Sequence, residues 1–333
     1  MIFRILLISS FVFLAGAGCR DRPIDFDPDD TLEAKVSGNA ALAHVSALVA
    51  LGARPSGSEE LEQSRHYIEQ QLSEFGWDVI REPFSAKTPE GEFEFENVRA
   101  RFGTVKWDQK VTGLLCTHFD TKPFESFEFV GANDGGSSTG LLIELARVLS
   151  ERPEVARRLE LVFFDGEEAF GPNITPTDGL YGSRHYAGEW LTKKASLRPD
   201  WGVLIDMVGD HDLKIRAGVR IPRSRIQDLA KSDETGYAVD IVEVEASVNE
   251  MSKQLRSAAK DLGFQAEVGV SPDYIVDDHV PLNVSAGIPT IDLIDFDYPY
   301  WHTPGDTLDK ISADSLEITG RVTLLLVEKY LLP

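Results

Sequence analysis

Histidines and carboxylates in this 333-residue chain gather where short apolar runs end. His118-Phe119-Asp120 follows Val111–Thr117, and Gly131-Ala132-Asn133-Asp134-Gly135-Gly136 opens a helix-like stretch soon after. Asp165-Gly166-Glu167-Glu168 follows Leu161–Phe164, and Asp206 follows Val203–Ile205. Asp277-Asp278-His279 precedes another helix-like stretch, and Tyr300-Trp301-His302-Thr303 comes after Thr290–Ile294. Carboxylates placed at random would favour exposed helix faces, so this recurrence at strand ends points to a metal centre. Zinc takes imidazole and carboxylate ligands, and a catalytic site keeps one coordination position open. Asp134, Glu168 and His302 supply three such ligands. Neighbouring side chains at a strand end point in different directions. Glu168 can therefore bind metal while Glu167 faces substrate as general acid/base. His118 and Asp120 fit either as ligands or as groups that orient a ligand. No Gly-x-Ser-x-Gly elbow is present to support a serine nucleophile instead.

Bringing these residues together requires strands that end side by side. Ala40–Leu51 and Glu59–Phe75 carry helical apolar spacing, the second opening at the cap-like run Ser56-Gly57-Ser58-Glu59-Glu60. Trp77–Ile80 and Glu94–Val98 read as strands. Val111–Thr117, Leu159–Phe164, Trp201–Ile205 and Thr290–Ile294 read as short core strands, and Gly140–Leu149, Gly182–Leu191, Glu250–Leu262 and Ser312–Leu331 as helices. The alternation predicts an α/β fold of three α/β/α layers around a central mixed, mostly parallel sheet. Sites in such folds lie beyond the carboxyl ends of the strands. Lys214–Val244 is the least readable stretch and is expected to be a surface insertion near the site.

The composition, 42% hydrophobic and 26% charged, suits one large globular core. Lys and Arg total 33 against 55 Asp and Glu, a formal charge of -22. That field disfavours nucleic acid and anionic lipid, and is compatible with cationic partners such as peptide N-termini. At the start, Met1-Ile2-Phe3-Arg4 carries one positive charge, and Ile5–Ala17 is apolar and too short for a comfortable membrane span, which reads as a secretory signal. Leu14-Ala15-Gly16-Ala17-Gly18-Cys19 resembles a bacterial lipoprotein cleavage box, with Gly16 where an aliphatic residue is usual. Residues 1–19 are thus expected to be a lipoprotein-type signal, 20–38 a polar tether, and 39–333 the zinc-dependent catalytic domain. The expected location is outside the cytoplasm, periplasmic or anchored at the outer membrane through a lipid on Cys19, with no other membrane contact. Only Cys19 and Cys116 occur; Cys116 sits in an apolar run and reads as a buried small hydrophobe. Any metal must therefore be held by His and carboxylates.

The motifs also carry a family resemblance. Phe163-Phe164-Asp165-Gly166-Glu167-Glu168-Ala169-Phe170, followed by Leu180-Tyr181-Gly182-Ser183-Arg184-His185, resembles the animal-type glutaminyl-peptide cyclotransferases. So do Phe129–Asp134, Asp277-Asp278-His279-Val280-Pro281 and Trp301-His302-Thr303. Those enzymes share the zinc-exopeptidase, phosphorylase/hydrolase-like fold with the M28 aminopeptidases, and the resemblance runs from about Ala40 to the C-terminus. It implies that Asp134, Glu168 and His302 hold zinc and that Glu167 is the acid/base. It further implies that Asp206 and Asp277 are hydrogen-bonded catalytic carboxylates and that Trp301 walls the substrate pocket. The implied substrate is a peptide or protein N-terminus, with glutamine cyclised to pyroglutamate and ammonia released. The aminopeptidase alternative uses the same residues plus a second zinc on His118 and Asp206, with Asp134 bridging. One zinc or two is open at this point. The sequence departs from the cyclases at Asp292, where a histidine is usual, and at Asn173, where a tryptophan is usual. His302-Thr303-Pro304-Gly305-Asp306-Thr307 leans towards the aminopeptidases, whereas Trp301 and Leu180–His185 lean towards the cyclases. A catalytically silent binding domain is a third reading, and retention of Glu167 argues against it.

Overall fold

The computed structural model describes residues 27–28, 30–221 and 239–332. The expected signal (1–19) and residues 20–26 of the expected tether lie outside the described residues. None of the described helices is long and apolar enough to cross a membrane.

Strands β1 (Trp77–Thr88) and β2 (Gly91–Phe102) form a long antiparallel hairpin. The strand predictions at Trp77–Ile80 and Glu94–Val98 caught only parts of it, because alternating polar residues on its exposed face hide the rest. The core strands are β3 (Gly113–His118), β4 (Leu159–Phe164), β5 (Trp201–Asp206) and, further along, β8 (Thr290–Ile294). Together they make a six-stranded sheet in the order β1-β2-β4-β3-β5-β8. β2 meets β4 antiparallel, and the β4, β3, β5 and β8 pairings are all parallel. The carboxyl ends of these four strands therefore lie on one edge.

Alternation along the core strands feeds two separate apolar layers. Leu115, Leu161, Phe163, Val203 and Ile205 point to one side. There they pack against helices α1 (Gly38–Val49), α2 (Glu59–Glu74) and α3 (Gly136–Ser150). Leu114, Cys116, Val162, Phe164 and Leu204 point to the other, against α4 (Tyr181–Glu189) and Leu282–Ile288. α5 (Ile241–Leu262) and α6 (Ala313–Leu325) join the first layer. The result is the three-layer mixed sheet anticipated from the sequence. Each fully buried Leu, Ile or Val adds about 1.5–3 kcal/mol, and Cys116 is one of the small apolar groups in this packing. Helix starts follow their caps: Ser58 Oγ accepts from Leu61 N at 3.0 Å, with Glu59, Glu60 and Glu62 complementing the helix dipole in the first turn.

Two boundaries differ from expectation. Packing begins near Leu32 instead of residue 39. Leu32 is fully buried, its N–H donates to Glu328 at 3.0 Å, and Arg321 pairs with Glu33 at 2.8 Å. The short apolar residues Leu32 and Val36 were hidden within an otherwise polar segment. The Lys214–Val244 stretch is likewise not all surface insertion. Ile215–Ala217 forms β6, pairing in parallel with β7 (Val268–Val270), and Ile215 and Ala217 are fully buried. Residues 222–238 lie outside the described set.

Between β2 and β4, Glu160 is fully buried and bridges Arg99 Nη2 at 2.7 Å and Arg101 Nη2 at 2.5 Å. Removing one partner of such a buried network strands the others in low dielectric. Glu160→Ala is expected to lower unfolding stability by about 3–5 kcal/mol, read by urea denaturation. Truncating the half-exposed Glu69, which meets Arg81 at 3.2 Å, is expected to cost at most about 1 kcal/mol.

Candidate functional site

The parallel edge delivers the chemistry. His118 is the last residue of β3, Asp206 the last of β5, and Glu167-Glu168 follow the end of β4. Asp134 arrives on the loop that opens α3. Gly135 there has φ 73°, and a Cβ on it would lie 2.7 Å from Asp120 O and 2.9 Å from His118 Cε1, so only glycine fits. His302 and Met207, the residue after Asp206, hold positive φ of 54° and 46° without being glycine. Backbone strain of this kind persists where surrounding structure fixes it, and it clusters at functional sites.

Asp134 is the hub. His302 Nε2 lies 3.4 Å from Asp134 Oδ2 and 3.3 Å from Glu168 Oε1, while His118 Nε2 lies 3.3 Å from Asp134 Oδ1 and 3.1 Å from Asp206 Oδ1. Two groups result, Asp134–Glu168–His302 and His118–Asp134–Asp206, each with one ligand atom per residue within 4.8 Å of the others. Asp134 Oδ2 is buried without a hydrogen-bond donor, which is costly unless something cationic faces it. The donor set, imidazole plus carboxylates, suits zinc. The residues therefore fit a metal ion, and geometry offers room for a second one sharing Asp134.

Electrostatics point the same way. Burial, then the charge of Glu168, push the Asp134 carboxyl up to about 6, with His118 pulling it back. Burial drives Glu167 well above the usual carboxylate range; the nearby His118 opposes this and Asp277 and Glu168 add to it. Burial alone would lower His118, yet Asp206, Asp120 and Asp134 hold its imidazole well above the ordinary value.

The remaining residues take distinct places. Asp120 accepts from the backbone N–H groups of Glu167 and Glu168, both at 3.2 Å, and its Oδ1 lies 3.4 Å from His118 Nδ1. It thus holds the Glu-Glu turn and backs the histidine, as a carboxylate behind a ligating imidazole does. Glu167, Asp206, Asp277, Asn173 and Trp301 line one cavity together with Asp134, Glu168 and His302. Trp301 is 40% exposed and so is not core packing. Asp277 belongs to neither Asp134-centred group; it groups instead with His279 and Asp292. Asp278 and His279 are both buried, and Asp278 makes no side-chain cap. His279 Nδ1 lies 3.5 Å from Asp292 Oδ2, and burial lowers the imidazole to about 3. His185 stacks on Phe84 at 4.2 Å. Near it, Glu82 and Glu189 are both engaged by Arg99, so that carboxylate pair already has its cation.

Three supporting residues escaped the sequence reading. Asp306 accepts from the backbone N–H groups of Asn133 at 2.8 Å and Asp134 at 3.1 Å and from Tyr298 OH at 2.7 Å, fixing the hub loop. Lys122 donates to Ala169 O at 2.6 Å and stands 3.6 Å from Glu168. Arg54, fully buried, donates to Val130 O at 2.8 Å and Gly131 O at 3.1 Å. Asp306 had a signal, its place four residues after His302, but Arg54 and Lys122 look like ordinary surface cations in sequence.

The family model of peptidase family M28 matches residues 97–327. The chain belongs to peptidase family M28. Its relatives in sequence include glutaminyl-peptide cyclotransferases. A glutaminyl-peptide cyclotransferase of Drosophila melanogaster is 30% identical over 281 residues, covering 80% of this chain and 74% of that one. The solved glutaminyl cyclase of an Acidobacteriales bacterium is 30% identical with a TM-score of 0.70, covering 93% of this chain and 98% of that one. A Zn-dependent exopeptidase of Parabacteroides distasonis shares the fold, with TM-score 0.69 and 23% identity, over 88% of this chain and 98% of that one. These matches bear out the family resemblance and the fold read from the sequence.

Zinc ligation needs Asp134 ionised and His302 neutral, so protonation of either competes with the metal. Zinc affinity, measured by competition with a chelating dye, is expected to fall as pH drops through about 6. Asp134→Asn is expected to weaken binding by more than about a hundredfold. An affinity independent of pH across that range would count against the hub.

Proposed function

We propose that this chain is a zinc-dependent glutaminyl-peptide cyclotransferase, converting N-terminal glutamine of peptides or proteins to pyroglutamate with release of ammonia. The observation that carries the reading is the 30% identity to a cyclotransferase across most of both chains. The gathering of Glu167 with Asp134, Glu168 and His302 in one cavity supports it. Held by Asp134, Glu168 and His302, zinc would supply polarisation of the substrate's side-chain amide carbonyl.

The protein's own groups account for the proton traffic. Glu167, 8% exposed and raised by burial, is suited to exchanging a proton with a bound amine. It takes a proton from the α-amine as the new C–N bond forms, and returns it to the side-chain nitrogen as the old C–N bond breaks. Ammonia leaves and no water is consumed. Asp206 and Asp277 line the same cavity and supply carboxyl oxygens for hydrogen bonding beside the developing cationic nitrogen. Trp301 walls the space for the glutamine side chain.

A second reading, a two-zinc aminopeptidase, is favoured by one observation, the His118–Asp134–Asp206 group. There Glu167 would take the proton of an attacking water. For the chain as a whole we infer export, with residues 1–19 as a lipoprotein-type signal ending at Cys19, and peptide or protein N-termini as substrate. The -22 charge supports the exclusion of nucleic acid.

The test uses purified protein with a Gln-initiated and a Leu-initiated peptide, followed by mass spectrometry. The expected result is loss of ammonia from the first and no change in the second; release of free leucine would assign the aminopeptidase activity instead. Glu167→Gln is expected to lower turnover by about 10²- to 10⁴-fold with bound zinc unchanged. Full activity in that variant would remove Glu167 from the mechanism.

A further inference from the structure

A second set of metal-type donors lies behind the cavity wall. Asp277, His279 and Asp292 are 3%, 1% and 0% exposed, and one ligand atom from each lies within 4.8 Å of the others. The group shares no residue with the two that meet at Asp134. Its polar atoms lack partners. Both ring nitrogens of His279, both carboxylate oxygens of Asp292 and Oδ2 of Asp277 are buried without a hydrogen bond. Nearly all buried polar groups in folded proteins are hydrogen-bonded, so such a concentration in one place points to a missing ligand.

The side chains around the group do not repair it. His279 Nδ1 and Asp292 Oδ2 stand 3.5 Å apart, too far for a good hydrogen bond. Asp206 and Asp278 add negative charge around Asp292. Nearby cations are directed elsewhere. Arg184 donates to the carbonyls of Thr175 and Pro176, and Arg216 to that of Ile215. Lys122 donates to Ala169 O and faces Glu168, and His118 stands among Asp120, Asp134 and Asp206.

The spacing is that of ligands around an ion. Donor atoms about 2.0–2.2 Å from a tetrahedral zinc stand about 3.3–3.6 Å from one another. The 3.5 Å between His279 Nδ1 and Asp292 Oδ2 falls in that range. So do the 3.4 Å and 3.3 Å from His302 Nε2 to Asp134 and Glu168. Asp277 is also oriented for the purpose. Its Oδ1 accepts from Asp278 N at 2.5 Å, which leaves Oδ2 for a ligand.

We propose that Asp277, His279 and Asp292 bind a divalent cation of the zinc class, separate from any ion on Asp134. Calcium and magnesium prefer all-oxygen shells, whereas a mixed imidazole and carboxylate set suits zinc. Asp277 also lines the main cavity, which gives the ion a route of entry. Once bound, the ion ties Asp277 to β8 through Asp292 and so fixes one wall of the cavity. The site goes beyond the cyclase reading and does not depend on it.

The experiment measures zinc per chain by elemental analysis after chelator stripping, reloading with zinc chloride and desalting. Asp134→Asn provides the background, because both strand-edge groups share Asp134. That variant is expected to retain about one zinc per chain. Adding Asp292→Asn, or His279→Gln in its place, is expected to weaken the remaining zinc by at least about a hundredfold. Circular dichroism verifies the fold of each variant. Zinc-edge anomalous diffraction from zinc-loaded crystals of the unmodified chain gives a readout that needs no variant, with a peak expected among Asp277, His279 and Asp292. A folded Asp134→Asn without zinc, unchanged zinc affinity in a folded double variant, or no peak at this position overturns the site. Turnover of glutamine peptides tests the cyclase reading separately.

Discussion

Negative charge brought out of water at one sheet edge is the constraint on which the rest of the structure depends. Asp134, Glu168 and Asp206 are all buried and stand within reach of two imidazoles, His118 and His302, with Lys122 3.6 Å from Glu168. Desolvated carboxylates are tolerable only when paired or when they coordinate a cation. Much of the surrounding architecture follows from the need to hold these groups converged against their mutual repulsion. Asp120 ties down the turn bearing Glu167 and Glu168, Asp306 ties down the loop bearing Asp134, and Arg54 straps that loop to the region before α2 through main-chain carbonyls. Burial lowers the Arg54 pKa to about 10, with Asp306, Asp120 and Asp134 opposing the shift, so it remains a cation at neutral pH.

The fold makes this convergence sustainable. Parallel strands place their carboxyl ends together, and two apolar layers formed by alternate residues of the same strands keep those ends from moving. Strained backbone at His302 and beside Asp206 is held by that packing. The hairpin at the far edge contributes by other means, since Arg99 and Arg101 lock it to β4 through Glu160.

The sequence was legible where hydrophobic pattern and chemistry coincide. Continuous apolar runs such as Leu159–Phe164 defined the core strands, and the acidic or histidine residue at each end marked the site. The converging residues were readable for the same reason, because packing alone rarely puts a carboxylate at the end of a buried run. Legibility failed where a residue works through main-chain contacts. Nothing in the local pattern of Arg54 or Lys122 separates a buried strap from a solvated cation, and both depend on partners far along the chain. It failed also where the burying partner is distant in sequence: β6 is covered through pairing with β7, and Leu32 through contact with Glu328. The buried Asp277–His279–Asp292 group was the third such case. Asp292 stood out as a departure from the cyclases, but only tertiary structure shows that it faces His279.

The most direct measurement is anomalous diffraction at the zinc edge from zinc-loaded crystals. A metal site on Asp134, Glu168 and His302 requires a peak about 2.0–2.2 Å from a carboxylate oxygen of Asp134, a carboxylate oxygen of Glu168 and Nε2 of His302. An empty position there in a zinc-loaded crystal, or zinc bound only among Asp277, His279 and Asp292, would contradict it.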